Sequence, residues 1–154
     1  MSAFYFDSSS LVKRYSVEKG TKFVIDLLRP SAKNRFYSSK ITEVEVCAAF
    51  YRKQKGLVLS VQATTKAVSR FLRSFSDNFR KIDITDSIIG EAVRLTATYT
   101  LRGYDAIQLA AALETNRKRL SDGLTELVFV SADKELNDAA QAEGLTVENP
   151  NNYP

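Results

Sequence analysis

The chain has 154 residues, with 22 Lys+Arg against 18 Asp+Glu, a formal net charge of +4 and no histidine. Without histidine there is no Ser-His-Asp triad, Cys-His nucleophile, His-based zinc site or paired-His ribonuclease chemistry, so any catalysis rests on carboxylates, hydroxyls, Lys, Arg and Tyr. A hydrophobic content of 44% is too rich for disorder, the lone Cys47 excludes an internal disulfide and fits a reducing compartment, and no apolar run approaches the ~18 residues of a membrane span.

The first element is a short aromatic strand, Ala3-Phe4-Tyr5-Phe6, which ends at Asp7 and three serines. An acid that early also interrupts any signal-peptide pattern, so the expected location is the cytoplasm. Leu11, Val12 and Tyr15 then recur at helical spacing. Thr21 is placed to cap a second helix carrying Phe23, Val24, Leu27 and Leu28, stopped by Pro30. Phe36 to Ser39 reads as a strand. A helix is expected from Ile41 to Lys55, closed by Gly56. Another covers roughly Val61 to Phe75, with Ala67, Val68, Phe71, Leu72 and Phe75 on one face. Ile82-Asp83-Ile84 is a strand candidate, followed by a helix capped by Thr85 and running to about Tyr99. Asp105 to Asn116 is a strongly apolar helix. Leu127 to Val130 is a continuous apolar run, as expected of a strand buried on both faces. Lys134 to Ala142 is helical and closes at Gly144; Leu145-Thr146-Val147 is the last strand.

Strands alternating with helical segments predict an α/β fold, a three-layer α/β/α sandwich around a mostly parallel sheet. In such sheets sites form beyond the carboxyl ends of the strands. Asp7 follows the first strand, Asp133 follows the Leu127–Val130 strand, and Asp105 opens the apolar helix. Glu45 lies inside the Ile41–Lys55 helix, on the border of its apolar face, with Glu43 about 160° away around the axis. Taken singly each has a structural explanation. Asp is a favoured N-cap, Asp105 with Gln108 has capping-box spacing, and Glu45 suits a pair with Lys40 or Arg52. Taken together, carboxylates gathered at one sheet edge repel unless a cation sits among them. An all-oxygen donor set suits Mg²⁺ or Mn²⁺ rather than zinc.

Charge is unevenly placed. Residues 1–77 hold 14 basic and 6 acidic side chains, residues 78–154 hold 8 and 12, and no acid lies between Val46 and Ser76. Arg52, Lys53, Lys55, Lys66, Arg70 and Arg73 fall in that acid-free stretch, which reads either as a solvated face or as a surface for a polyanion. An acidic cluster with a basic flank is the charge plan of a metal-dependent nuclease.

Four stretches, in order and spanning nearly the whole chain, resemble PIN-domain ribonucleases, and most of all the VapC-type toxins of bacterial toxin–antitoxin pairs. They are YFDSSSLVKRY (5–15), SSKITEVEVCAAFYRKQKG (38–56), LRGYDAIQLAAAL (101–113) and FVSADKELNDAAQAEGLTVENP (129–150). The resemblance places the family's four acids at Asp7, Glu45, Asp105 and Asp133, with Ser9 as a supporting hydroxyl; Ser131 is expected in the same supporting role. It implies one PIN-like nuclease domain over residues 1–150 with a tail over 151–154. It also implies Mg²⁺- or Mn²⁺-dependent cleavage of RNA such as tRNA or rRNA, a homodimer, and a small antitoxin that inserts near the active groove. Arg14, Arg52 and Lys53 are the expected phosphate contacts. Tyr15, Tyr51 and Tyr104 are candidates for base stacking, with core packing the favoured reading for each. Two other classes remain. A phosphatase or dehalogenase with a nucleophilic Asp wants a second acid two residues after Asp7, where Ser9 stands. A catalytically silent PIN scaffold would bind RNA or protein without cutting it.

Overall fold

Phe4 and Phe6 point to one side of their strand, Ala3 and Tyr5 to the other, and this period-2 alternation seeds two separate cores. In the computed structural model, which describes residues 1–154, five strands form one sheet in the order β3-β2-β1-β4-β5. They are β1 (Ala3–Phe6), β2 (Arg35–Ser39), β3 (Phe79–Ile82), β4 (Leu127–Val130) and β5 (Thr146–Glu148), and every pairing is parallel. Helices α1 (Ser8–Tyr15), α2 (Thr21–Leu27), α3 (Ile41–Lys55) and α4 (Val61–Asn78) bring Leu11, Val24, Phe50, Phe71 and Phe75 onto the Phe4/Phe6 face. Helices α5 (Asp86–Tyr99), α6 (Gly103–Ser121) and α7 (Lys134–Ala142) bring Leu95, Leu109 and Leu136 onto the Ala3/Tyr5 face. The expected three-layer α/β/α sandwich is therefore present, with the sheet parallel throughout. No helix is long and apolar enough to cross a membrane.

From β1 the chain winds outward through β2 to β3, then returns to the other side of β1 for β4 and β5. The helices after β1 and after β4 thus lie on opposite faces, and a crevice opens at the carboxyl ends of these two neighbouring strands, the switch point where α/β sheets bind ligands.

Several elements differ from the sequence reading. The strand expected at 82–84 is Phe79–Ile82, following α4 without a loop. Phe79 is buried and its ring lies 5.2 Å from that of Phe75 and 5.9 Å from that of Phe6, which fixes the register, while Arg80 faces solvent at the sheet edge. The last strand starts one residue late, because left-handed Gly144 uses Leu145 in the turn. On α4, Leu72 is exposed, so the buried stripe narrows to Thr64, Ala67, Phe71 and Phe75. The α2 cap is Gly20, not Thr21, whose hydroxyl instead accepts the Glu18 N–H. Gly20 is left-handed at φ 84°, and a Cβ there would meet the Pro150 carbonyl oxygen at 2.3 Å. That close approach docks residues 151–154 on α2, where Tyr153 stacks on Phe23 at 3.9 Å.

Candidate active site

Asp7 leaves β1 in extended conformation and caps α1, its Oδ1 accepting the Ser10 N–H at 3.1 Å. The capping explanation is therefore correct but incomplete. The Ser9 hydroxyl lies 2.8 and 2.9 Å from the two carboxylate oxygens, and the Ser131 hydroxyl donates to Oδ2 at 2.8 Å. Those serines also tie the ends of β1 and β4 together. Ser9 Oγ accepts the Ala132 N–H and Ser131 Oγ accepts the Asp133 N–H. Asp7 is buried, and burial pushes its carboxyl from an ordinary 3.8 up to about 6 against the pull of these hydrogen bonds.

Glu45 reaches the same edge from α3. Its Oε1 accepts from Gln108 Nε2 at 2.7 Å, while Oε2 has only a long 3.4 Å contact with the Ser8 hydroxyl. Burial raises its pKa first, and neighbouring Asp105 adds to the rise. Glu43, on the opposite side of the helix, is instead bonded to Lys81 of β3. The two acids of this helix are thus divided between a structural ion pair and the crevice.

Asp105 sits in the first turn of α6. The cap is Arg102, which makes no side-chain bond, and Asp105 neither caps the helix nor accepts a protein hydrogen bond. Burial, then the nearby Asp133 charge, raises its pKa. Asp133 caps α7, accepting the Leu136 N–H at 3.0 Å. The proposed capping box does not form, because Gln108 is buried elsewhere. Its Oε1 accepts from Tyr5 Oη at 2.7 Å and Ser39 Oγ at 3.1 Å, and its Nε2 donates to Thr42 Oγ1 at 2.8 Å as well as to Glu45.

Gln108 is the site residue that the sequence reading missed. The available signal was a lone amide inside the apolar run Ala-Ile-Gln-Leu-Ala-Ala-Ala-Leu. Substituting Gln108→Leu frees Glu45 and removes a partner from three buried hydroxyls, those of Tyr5, Ser39 and Thr42. The expected result is a loss of about 1–3 kcal/mol of stability in denaturant unfolding, and a 10- to 100-fold fall in any activity that uses Glu45.

None of the four acids forms a salt bridge, although Glu18, Asp26, Glu43, Glu91 and Glu143 all do. Hard oxygen donors outside any salt bridge, with proton affinity raised at Asp7, Glu45 and Asp105, are the chemistry that a divalent cation relieves, so the residues fit Mg²⁺ or Mn²⁺ in kind. The coordination shell is not preformed, since no three of these side chains lie close enough together to share an ion as they stand.

A groove of about 550 Å³ opens beside Glu45 between α1 and α3. Ser8 and Ser9 mark its acidic end, Val12 and Ala49 its apolar wall, and Arg52 and Tyr104 its rim. Arg52 carries no salt bridge and is free to meet an anion there. Lys53 is not free, because Glu18 binds it at 3.3 Å together with Lys13 at 3.1 Å. Arg14 lies over the ring of Tyr15, 5.5 Å from its centroid, and does not line the groove. Tyr15 packs edge-on against Phe50 and Phe71, as core. Tyr51 and Tyr104 are exposed, and Tyr104 alone of the three borders the groove.

The family model for the PIN domain matches residues 4–142. Two relatives from Mycobacterium tuberculosis, Ribonuclease VapC45 of strain CDC 1551 and Ribonuclease VapC49 of strain H37Rv, are each 29% identical over 143 residues. Each alignment covers 93% of this chain and 92% of the relative. Among solved structures, a toxin–antitoxin complex from Klebsiella pneumoniae matches with a TM-score of 0.57 at 22% identity, over 95% of this chain and 96% of the other. VapBC2 from Rickettsia felis, bound to a promoter DNA fragment, matches with a TM-score of 0.63 at 12% identity, over 96% and 98%. At these identities the two structures speak for the fold.

Proposed function

The chain belongs to the PIN-domain family, and from that premise we propose that it is a metal-dependent endoribonuclease, the toxin of a toxin–antitoxin pair. One observation carries the reading. Four carboxylates from four separate segments border the crevice at the β1/β4 switch point, and none of them forms a salt bridge, Arg52 and Arg102 acting on Glu45 and Asp105 only from longer range. Its relatives named as ribonucleases support the choice of RNA.

Asp7 and Asp105 are the principal ligands for Mg²⁺ or Mn²⁺, and Glu45 and Asp133 complete the site directly or through water. When bound, such an ion supplies an activated water and a counter-charge for the phosphoryl oxygens. Ser9 and Ser131 hold the Asp7 carboxylate in place. Gln108 fixes Glu45 through Oε1, which leaves Oε2 to orient the attacking water and take its proton. Arg52 at the groove rim holds a substrate phosphate.

A small antitoxin is expected on exposed apolar side chains, Val44 in the groove and Leu57, Val58 and Val61 at the α3–α4 turn, and a homodimer partner on Ile89 and Val93 of α5. The unformed coordination shell favours one second reading, a silent scaffold that binds RNA without cutting it. Single-stranded RNA incubated with the purified protein separates the two. Cleavage that stops in EDTA and returns on adding Mg²⁺ is the expected result; binding without cleavage in either condition identifies the scaffold.

A further inference from the structure

At the end of the molecule opposite the acids, α6 finishes beside the amino ends of β2 and β3. Arg119 lies fourteen residues after Asp105, about 21 Å along the helix axis. It is buried at 7% exposure, and no carboxylate pairs with it. Its guanidinium lies over the Tyr37 ring, 5.6 Å from the centroid, and its hydrogen bonds go to neutral oxygens only. Nε donates to the Thr125 carbonyl at 3.0 Å, Nη2 to Thr125 Oγ1 at 3.1 Å and Nη1 to Tyr37 Oη at 2.9 Å. A buried charge is normally paired, because desolvation costs several kcal/mol. The carboxyl end of α6 offers only partial negative charge.

The donors of Arg119 are not all used, and the residue lines an open cavity. Of the five N–H groups of a guanidinium, two on Arg119 remain without an acceptor. Tyr37 Oη accepts from Arg119 and gives its own hydrogen to no protein group, and Tyr37 is itself buried. Both residues line a cavity of about 370 Å³ that Arg35 and Arg80 also border, with no acidic side chain in its wall. Arg35 and Arg80 are exposed and take part in no salt bridge. An adjoining lobe of about 280 Å³, which shares Tyr37, Arg80 and Arg119, adds Lys118 and also the acids Glu114 and Asp122 to the lining. Neither acid pairs with an arginine of the cavity.

We propose that this pocket binds a phosphate group. Planar guanidinium forks and a phenolic O–H match the three acceptor oxygens of a phosphate monoester or the two of a phosphodiester. The site lies at the other pole of α6 from the carboxylates, and its occupancy does not depend on cleavage.

Titration of the protein in EDTA, followed by backbone amide shifts, tests this. The probes are inorganic phosphate, adenosine monophosphate and a short single-stranded RNA, with chloride at matched ionic strength as the control. Each phosphate probe is expected to shift the amides of Arg35, Arg80, Arg119 and Thr125 saturably, while chloride does not. The double variant Arg35→Ala/Arg80→Ala, which removes only exposed side chains, weakens binding about tenfold or more. Tyr37→Phe weakens it with the fold preserved. RNA binding more tightly than the mononucleotide makes a polynucleotide the natural ligand, whereas equal affinity makes it a small phosphate ester. Absence of saturable shifts at these residues with every probe, or binding undiminished in the double variant, overturns the proposal.

Discussion

Asp105→Asn is expected to slow RNA cleavage on the order of 10³-fold while leaving the melting temperature of the metal-free protein unchanged or slightly raised. The two halves of this result have different origins. The loss of rate follows from removing one of the two principal oxygen ligands proposed for the ion. The unchanged stability follows from the side chain's lack of structural duties, since Asp105 neither caps α6 nor accepts a hydrogen bond. Its charge is costly in the free protein, because burial and Asp133 both disfavour ionisation. Single-turnover cleavage and a thermal melt on the same preparation check both halves. Wild-type rates from the variant would remove Asp105 from the mechanism.

Asp7→Asn is expected to abolish cleavage to a similar degree and to change the pH dependence of folding. The folded-state pKa of Asp7 is about 6, above its ordinary value of 3.8. Proton binding to the folded state is therefore stabilising. That stabilisation is fully present below the ordinary value and is lost as pH rises through about 6. With a rise of about two pH units, the ionised side chain costs the metal-free protein up to about 3 kcal/mol at neutral pH. Asparagine still caps α1 and still accepts a hydrogen bond from Ser9 or Ser131, but carries no charge. The variant is thus expected to be about 1–3 kcal/mol more stable than wild type near pH 7.5, with most of the gain gone near pH 4. Glu45 and Asp105, also raised, leave part of the pH slope in place. Denaturant unfolding in EDTA at several pH values measures this. A variant less stable than wild type at neutral pH would show that the Asp7 carboxylate is structural.

Strand-end acids were readable because a parallel sheet places the residue after each strand on one edge, and apolar runs such as Leu-Val-Phe-Val leave no doubt where the strand stops. Glu45 was separable from Glu43 by helical phase, and the ion pair between Glu43 and Lys81 agrees with that division. Gln108 was hidden by a coincidence of spacing. Position i+3 from Asp105 is both the capping-box position and the inward face of α6, and only the packing of α6 against β1, β2 and α3 decides between them. The pairing of Lys53 with Glu18 joins residues 35 positions apart, beyond any local pattern. The third strand was misplaced because an edge strand reading Phe-Arg-Lys-Ile has almost no apolar signature and no Gly or Pro separates it from α4. For Gln108 and Lys53 a long-range contact decided the outcome, and for the third strand the local signal was too weak.

The central claim is that Asp7, Glu45, Asp105 and Asp133 hold one divalent-ion site at the β1/β4 edge. Paramagnetic broadening of backbone amide signals by substoichiometric Mn²⁺ tests it most directly, because it locates the ion without requiring turnover. Selective loss of signals around Asp7, Ser8, Ser9, Glu45, Asp105 and Asp133 is expected, reversed by excess Mg²⁺ and absent in Asp7→Asn. Broadening centred elsewhere, for example on Glu91 and Glu143, or loss without residue selectivity, would contradict it.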